Sequence, residues 1–134
     1  MIGLDSSALL RYLLTDNRAM ATRVNEALRG AEPVGISTPV LLEIVHVLRG
    51  ASYRRENPAV ADTIVELLGH ENVVLTDLDA DLAAAAISAV RHLSPRHIAD
   101  ALISAAARQA GARHLLTADR TFASQLVPVV QLGD

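Results

Sequence analysis

The chain has 134 residues, is 51% hydrophobic, contains no cysteine and carries a formal net charge of −3. Such a chain is long enough for one domain with a real core and too apolar for disorder. Disulfides and thiolate metal sites are excluded, which leaves oxygen and imidazole as the available ligands.

Uncharged runs such as 82–90 fall far short of the ~20 residues that a membrane span needs. No basic region followed by a long apolar run opens the chain, so a cytoplasmic protein is expected. The acidic balance looks wrong for a nucleic-acid binder, but its distribution matters more than its sum. All 12 basic residues are arginine. Arginine grips phosphate bidentately, although a lysine-free chain equally fits a GC-rich genome. Tyr12, Tyr53 and Phe122 are the only aromatic residues. A stacking platform for bases is therefore not expected, and any nucleic acid would be held through phosphates and metal.

In chain order, 2–5 reads as a short buried strand ending in a carboxylate. Ser6 or Ser7 can cap the next helix, whose apolar content is Leu9, Leu10, Leu13 and Leu14. Residues 17–30 form a more polar helix bearing Arg18, Arg23 and Arg29. Residues 34–37 are a strand, and Thr38 and Pro39 open an apolar helix that closes near Gly50. A polar loop over 50–58 carries Arg54 and Arg55. Residues 59–68 are helical, 72–75 a strand and 79–90 an alanine-rich helix. In 94–122, Ser94 caps a helix with Pro95 in its first turn. Ile98, Leu102, Ala105 and Ala106 recur at helical spacing, and Gly111 ends the helix. The short apolar run over 114–117 suits a buried strand, and 128–132 supplies a last edge strand. Ala101, Ala105 and Ala106 predict close packing of the long helix on the sheet.

Strands that alternate with helices predict a parallel sheet covered on both faces. Ligands bind outside the carboxyl ends of such strands. Asp5 and Asp119 both stand at carboxyl ends. From Asp100 to Gly111 the helix descends about 16 Å, and the chain from Arg113 to Ala118 climbs back about 17 Å. Asp119 is thus expected level with Asp100.

Each acid also has an ordinary reading. Asp5 and Asp119 suit caps of the segments that follow. Glu43 suits a solvated stripe with His46 and Gly50 on an amphipathic helix. Asp100 suits the favourable field at a helix amino end. Together, however, Asp5, Glu43, Asp100 and Asp119 would repel each other in one cleft unless a divalent cation neutralised them. Hard oxygen ligands select Mg²⁺ or Mn²⁺. Without those four acids, 11 acids stand against 12 arginines, and the remainder of the chain is nearly neutral.

Four segments carry a family resemblance: IGLDSSALL at 2–10, STPVLLEIVHVL at 37–48, IADALISAAARQAGARHLLTADRTF at 98–122, and PVVQL near the end. In order, spacing and length the chain resembles the PIN domain, and in particular VapC-type toxins of bacterial toxin–antitoxin pairs. The resemblance implies a Rossmann-like α/β/α sandwich with a mostly parallel central sheet of about five strands. It implies an Mg²⁺-dependent endoribonuclease (Mn²⁺ a plausible substitute), a homodimer and inhibition by a small antitoxin. Asp5, Glu43, Asp100 and Asp119 match the four family acids. Asp5, Asp100 and Asp119 are the implied metal ligands, and Glu43 completes the site or orients water. Ser6 and Thr117 match supporting hydroxyls. Ser7 stands where the family commonly has asparagine.

Arg11, Arg54, Arg55 and Arg96, with Arg18, are candidate phosphate contacts or solvated surface. His46 and His97 each share a helix face with an acid. Leu13, Leu14, Met20 and Val24 either pack in the core or line a groove for an antitoxin helix. A response-regulator receiver would need an acidic pair after the first strand and a lysine, and neither is present. The competing reading is a catalytically idle PIN-like module that binds RNA or a protein.

Overall fold

The computed structural model describes residues 1–93, 96–122 and 124–133, with the backbone alone of Arg96. The expected cap at Ser94, Pro95 in the first turn and the phosphate contact of the Arg96 side chain lie outside the described residues. The strands are β1 (Ile2–Gly3), β2 (Val34–Ile36), β3 (Val73–Leu75), β4 (Leu115–Thr117) and β5 (Val129–Gln131). The helices are α1 (Ser6–Leu14), α2 (Arg18–Arg29), α3 (Thr38–Arg49), α4 (Asn57–Leu68), α5 (Ala80–Ala89) and α6 (Arg96–Gln109). This is a helix-rich α/β fold with parallel strands.

Every pairing between these strands is parallel. Ile2 stands opposite Val34, and Ile36 opposite Leu75, which sets β2 between β1 and β3. Leu115 stands opposite Val129 in a separate β4–β5 pair. The expected single sheet of about five strands is thus divided into hydrogen-bonded groups of three and two. Strands of two or three residues leave few ladder positions, so helix packing supplies most of the core.

The apolar spacing of α3 explains its orientation. Leu41, Ile44, Val45 and Leu48 are all buried, which leaves Glu43 and His46 on the exposed face. In α6, Ile98, Ala101, Leu102 and Ala105 form the buried stripe. Ala106, expected to pack inward, is exposed because one further residue turns it about 100° off that stripe. The helix packs chiefly against α5, with a further contact to α3, rather than mainly on the sheet. Gly111 ends the helical stretch as expected, with a left-handed φ of 79°, and Ala112 closes the turn by donating to the Ala107 carbonyl.

Several boundaries and burial expectations are corrected: β1 is Ile2–Gly3 and exposed rather than a buried strand over 2–5, and Leu116 at the centre of β4 is exposed. α4 begins at Asn57, so Pro58 belongs to its first turn rather than to the loop. The Asn57 amide donates to the carbonyls of Val90 and Arg91 at 2.9 and 3.1 Å, tying α4 to the end of α5. Of the cap candidates for α1, Asp5 takes the position, and Ser6 and Ser7 are already helical. Its last residue is followed by Thr15 in the left-handed region, at φ 52°.

Candidate active site

Asp5 stands two residues beyond the carboxyl end of β1, immediately before α1. Its Oδ1 accepts the Ala8 amide at 2.9 Å and the Ser7 hydroxyl at 2.8 Å. These bonds, the Ala8 amide first, hold its pKa below the usual carboxylate range against a weaker opposing effect of desolvation. The residue stays ionised, and both contacts fall on one oxygen. Ser6 turns the other way and donates to Glu43 Oε2. The packing of α1 on α3 makes that reach possible. Asp5, Ser6, Ser7 and Glu43 therefore form one group, although Glu43 also keeps the solvent-facing position that its helix pattern predicts.

The second group lies at the carboxyl end of β4. The Asp119 amide donates to Thr117 Oγ1 at 3.0 Å. Asp119 Oδ1 accepts the Thr121 amide at 2.9 Å and the Thr121 hydroxyl at 2.7 Å. An Asx turn thus fixes this acid. Gln131 at the end of β5 donates its amide to the Asp119 carbonyl. His97 Nε2 lies 3.1 Å from the Thr121 carbonyl oxygen, linking α6 to the same turn. Asp100 is one helical turn beyond His97. It is half-buried, and its Oδ2 is shut off from solvent.

The contact between α3 and α6 connects the helix of Glu43 with that of Asp100. Among the described residues, no three His, Asp or Glu side chains are gathered as a metal site. The donor set is all carboxylate oxygen and suits a hard divalent cation. Sequence reasoning finds the acids but misses Thr121, Gln131 and the His97 link. The signal for the first is the Asp-x-Thr spacing of an Asx turn; pattern alone offers none for the others.

The family model of the PIN domain matches residues 2–125. The chain belongs to the PIN domain family. Comparison with curated proteins finds no match. PIN domains are typically metal-dependent nucleases, generally acting with a divalent ion.

The basic candidates of this PIN domain are scattered. Arg11 pairs with Asp16 at 2.6 Å on the exposed side of α1. Arg54 donates Nε to the Ala51 carbonyl within its own loop. Arg55 lines a groove with Tyr12 and Leu13, at the end of α1 away from Asp5. Val24 is core, while Met20 is exposed. His46 is exposed on the same face of α3 as Glu43. An apolar cavity of about 230 Å³ between α5, α6 and 124–126 includes none of the four acids in its lining. No helix among the described residues is long and apolar enough to cross a membrane.

Proposed function

We propose that this PIN domain is an Mg²⁺-dependent endoribonuclease, acting as the toxin of a toxin–antitoxin pair. The observation that carries the reading is the Ser6–Glu43 hydrogen bond, which joins the acid region after β1 to the acid on α3. Asp5, Asp100 and Asp119 would hold the cation, and Mn²⁺ would substitute for Mg²⁺. When bound, the cation supplies charge stabilisation to the scissile phosphodiester and lowers the pKa of water.

The protein's own residues have separable roles. Ala8 and Ser7 hold Asp5 ionised through Oδ1, which leaves Oδ2 to face a cation. Ser6 fixes the Glu43 carboxylate, whose role is to orient water. Thr117 and Thr121 fix the turn of Asp119. No side-chain nucleophile is required.

A small antitoxin, a homodimer and a cytoplasmic setting belong to the same proposal and are supported by the VapC-like motifs. The second reading, an idle module that binds RNA or a protein, is favoured by the absence of three gathered acids among the described residues. Cleavage of RNA by purified protein, with and without Mg²⁺ or Mn²⁺, separates the two. Cation-dependent cleavage that is lost in Asp5→Asn and Asp100→Asn is expected. RNA binding without cleavage under any divalent ion selects the idle module. RNA end-mapping beside Asp100→Asn then identifies the sites cut.

A further inference from the structure

We infer that the groove between α1 and α2 is a phosphate-binding track for the RNA strand, with Arg11 and Arg23 as its cations. The inference rests on the nuclease reading and extends it to how substrate is held. The groove, about 420 Å³ and open to solvent, is lined by Ser7, Ala8, Arg11, Met20, Arg23 and Val24. Two arginines and no acid are among the lining residues, and Asp16 reaches Arg11 from outside them at 2.6 Å.

Its position links it to the acids. Ser7 forms one end, and its hydroxyl donates to Asp5. Arg11 follows one helical turn later, about 6 Å along α1. A strand lying in the groove would therefore lead toward the acid region after β1.

Some arginines elsewhere are already engaged, whereas the two in this groove keep donors for an anion. Arg91 spends two contacts, both 2.6 Å, on Asp62. Arg108 donates to the Leu126 carbonyl. Arg11 meets Asp16 through Nη1 alone, so most of its five N–H donors remain for an anion. Arg23 makes no ion pair among the described residues. Ala8 and Met20 offer apolar contact to ribose and base, Met20 being 51% exposed, with Val24 buried beneath them. No aromatic ring lines the groove, so the track holds the backbone and does not read sequence.

The test uses the whole chain and a fluorescent single-stranded oligoribonucleotide in chelator, where cleavage does not interfere. Affinity is measured by anisotropy across a salt series. Arg23→Ala is expected to weaken binding about three- to tenfold and to lower the salt slope by about 0.7, one phosphate contact on a single strand. Asp16→Asn, which releases Arg11, is expected to tighten binding. Both effects should be equal for oligonucleotides of different sequence. Unchanged affinity and slope in Arg23→Ala and Arg23→Glu would overturn the track, as would failure of the wild type to bind RNA. Intact RNA binding with lost affinity for a polyglutamate peptide would overturn it too, assigning the groove to an acidic protein segment. The outcomes distinguish the two proposals. Salt-dependent binding through Arg23 without cleavage in Mg²⁺ or Mn²⁺ keeps the track and removes the nuclease. Cleavage that is indifferent to Arg23 does the reverse.

Discussion

Asp77 caps α3 from the loop after β3, its carboxylate accepting the Thr38 amide at 2.9 and 3.1 Å and the Thr38 hydroxyl at 2.8 Å. The local cap position, Ser37, makes no such side-chain bond. A residue 39 positions away thus fixes the amino end of the helix that carries Glu43.

Asp77→Ala should destabilise the domain by about 1–2 kcal/mol, the usual cost of a lost cap. Asp77→Asn keeps an acceptor and should lose less. Urea midpoints of the two variants check this. On the nuclease reading, cleavage by Asp77→Ala falls as well, because Glu43 rides on α3.

Ala105 is fully buried on α6, five residues beyond Asp100. Ala105→Leu forces extra methylenes into that stripe and should cost about 1–3 kcal/mol. It should also reduce cleavage without removing any acid. A variant with wild-type stability and activity would refute the packing role.

Thr15 holds a left-handed φ at the end of α1, where a β-branched residue is strained. Thr15→Gly should stabilise the domain by about 1 kcal/mol, raising Tm by about 3–5 °C for this size. Differential scanning calorimetry measures the shift.

Asp62 accepts two bonds from Arg91, and this pairing lowers its pKa from an ordinary 3.8. A carboxyl depressed on folding stabilises the native state above its unfolded pKa. That contribution is lost as the pH falls through the folded value. The stability gap between the wild type and Asp62→Asn should therefore hold at neutral pH and close in acid below 3.8. Added salt should narrow it at neutral pH, because the pair is exposed. Thermal melts across pH and salt read both effects.

Much of this was legible in the chain. The stripe of Leu41, Ile44, Val45 and Leu48 announces α3, and Gly111 announces the end of α6. The alternation of strands and helices leads to Asp5 and Asp119 at carboxyl ends. Distant side-chain partnerships were not legible. Nothing local assigns Asp77 to Thr38, or Gln131 to the Asp119 carbonyl, because tertiary packing creates those pairs. Ala106 misled because alanine is tolerated on either face of a helix. Asp5 and Ser6 both suited the cap of α1; Asp5, extended just before the helix, holds it through the Ala8 amide, which leaves the Ser6 hydroxyl for Glu43.

The turn of Asp119 leans on β5, through the parallel pairing with β4 and the Gln131 bond. This has a consequence during synthesis. A ribosome that has made residues 1–125 has already supplied all four acids, yet the strand that braces the last of them is still to come. The turn of Asp119 is therefore braced only once residues 129–131 are made, and a chain terminated before them would carry the acids without that brace.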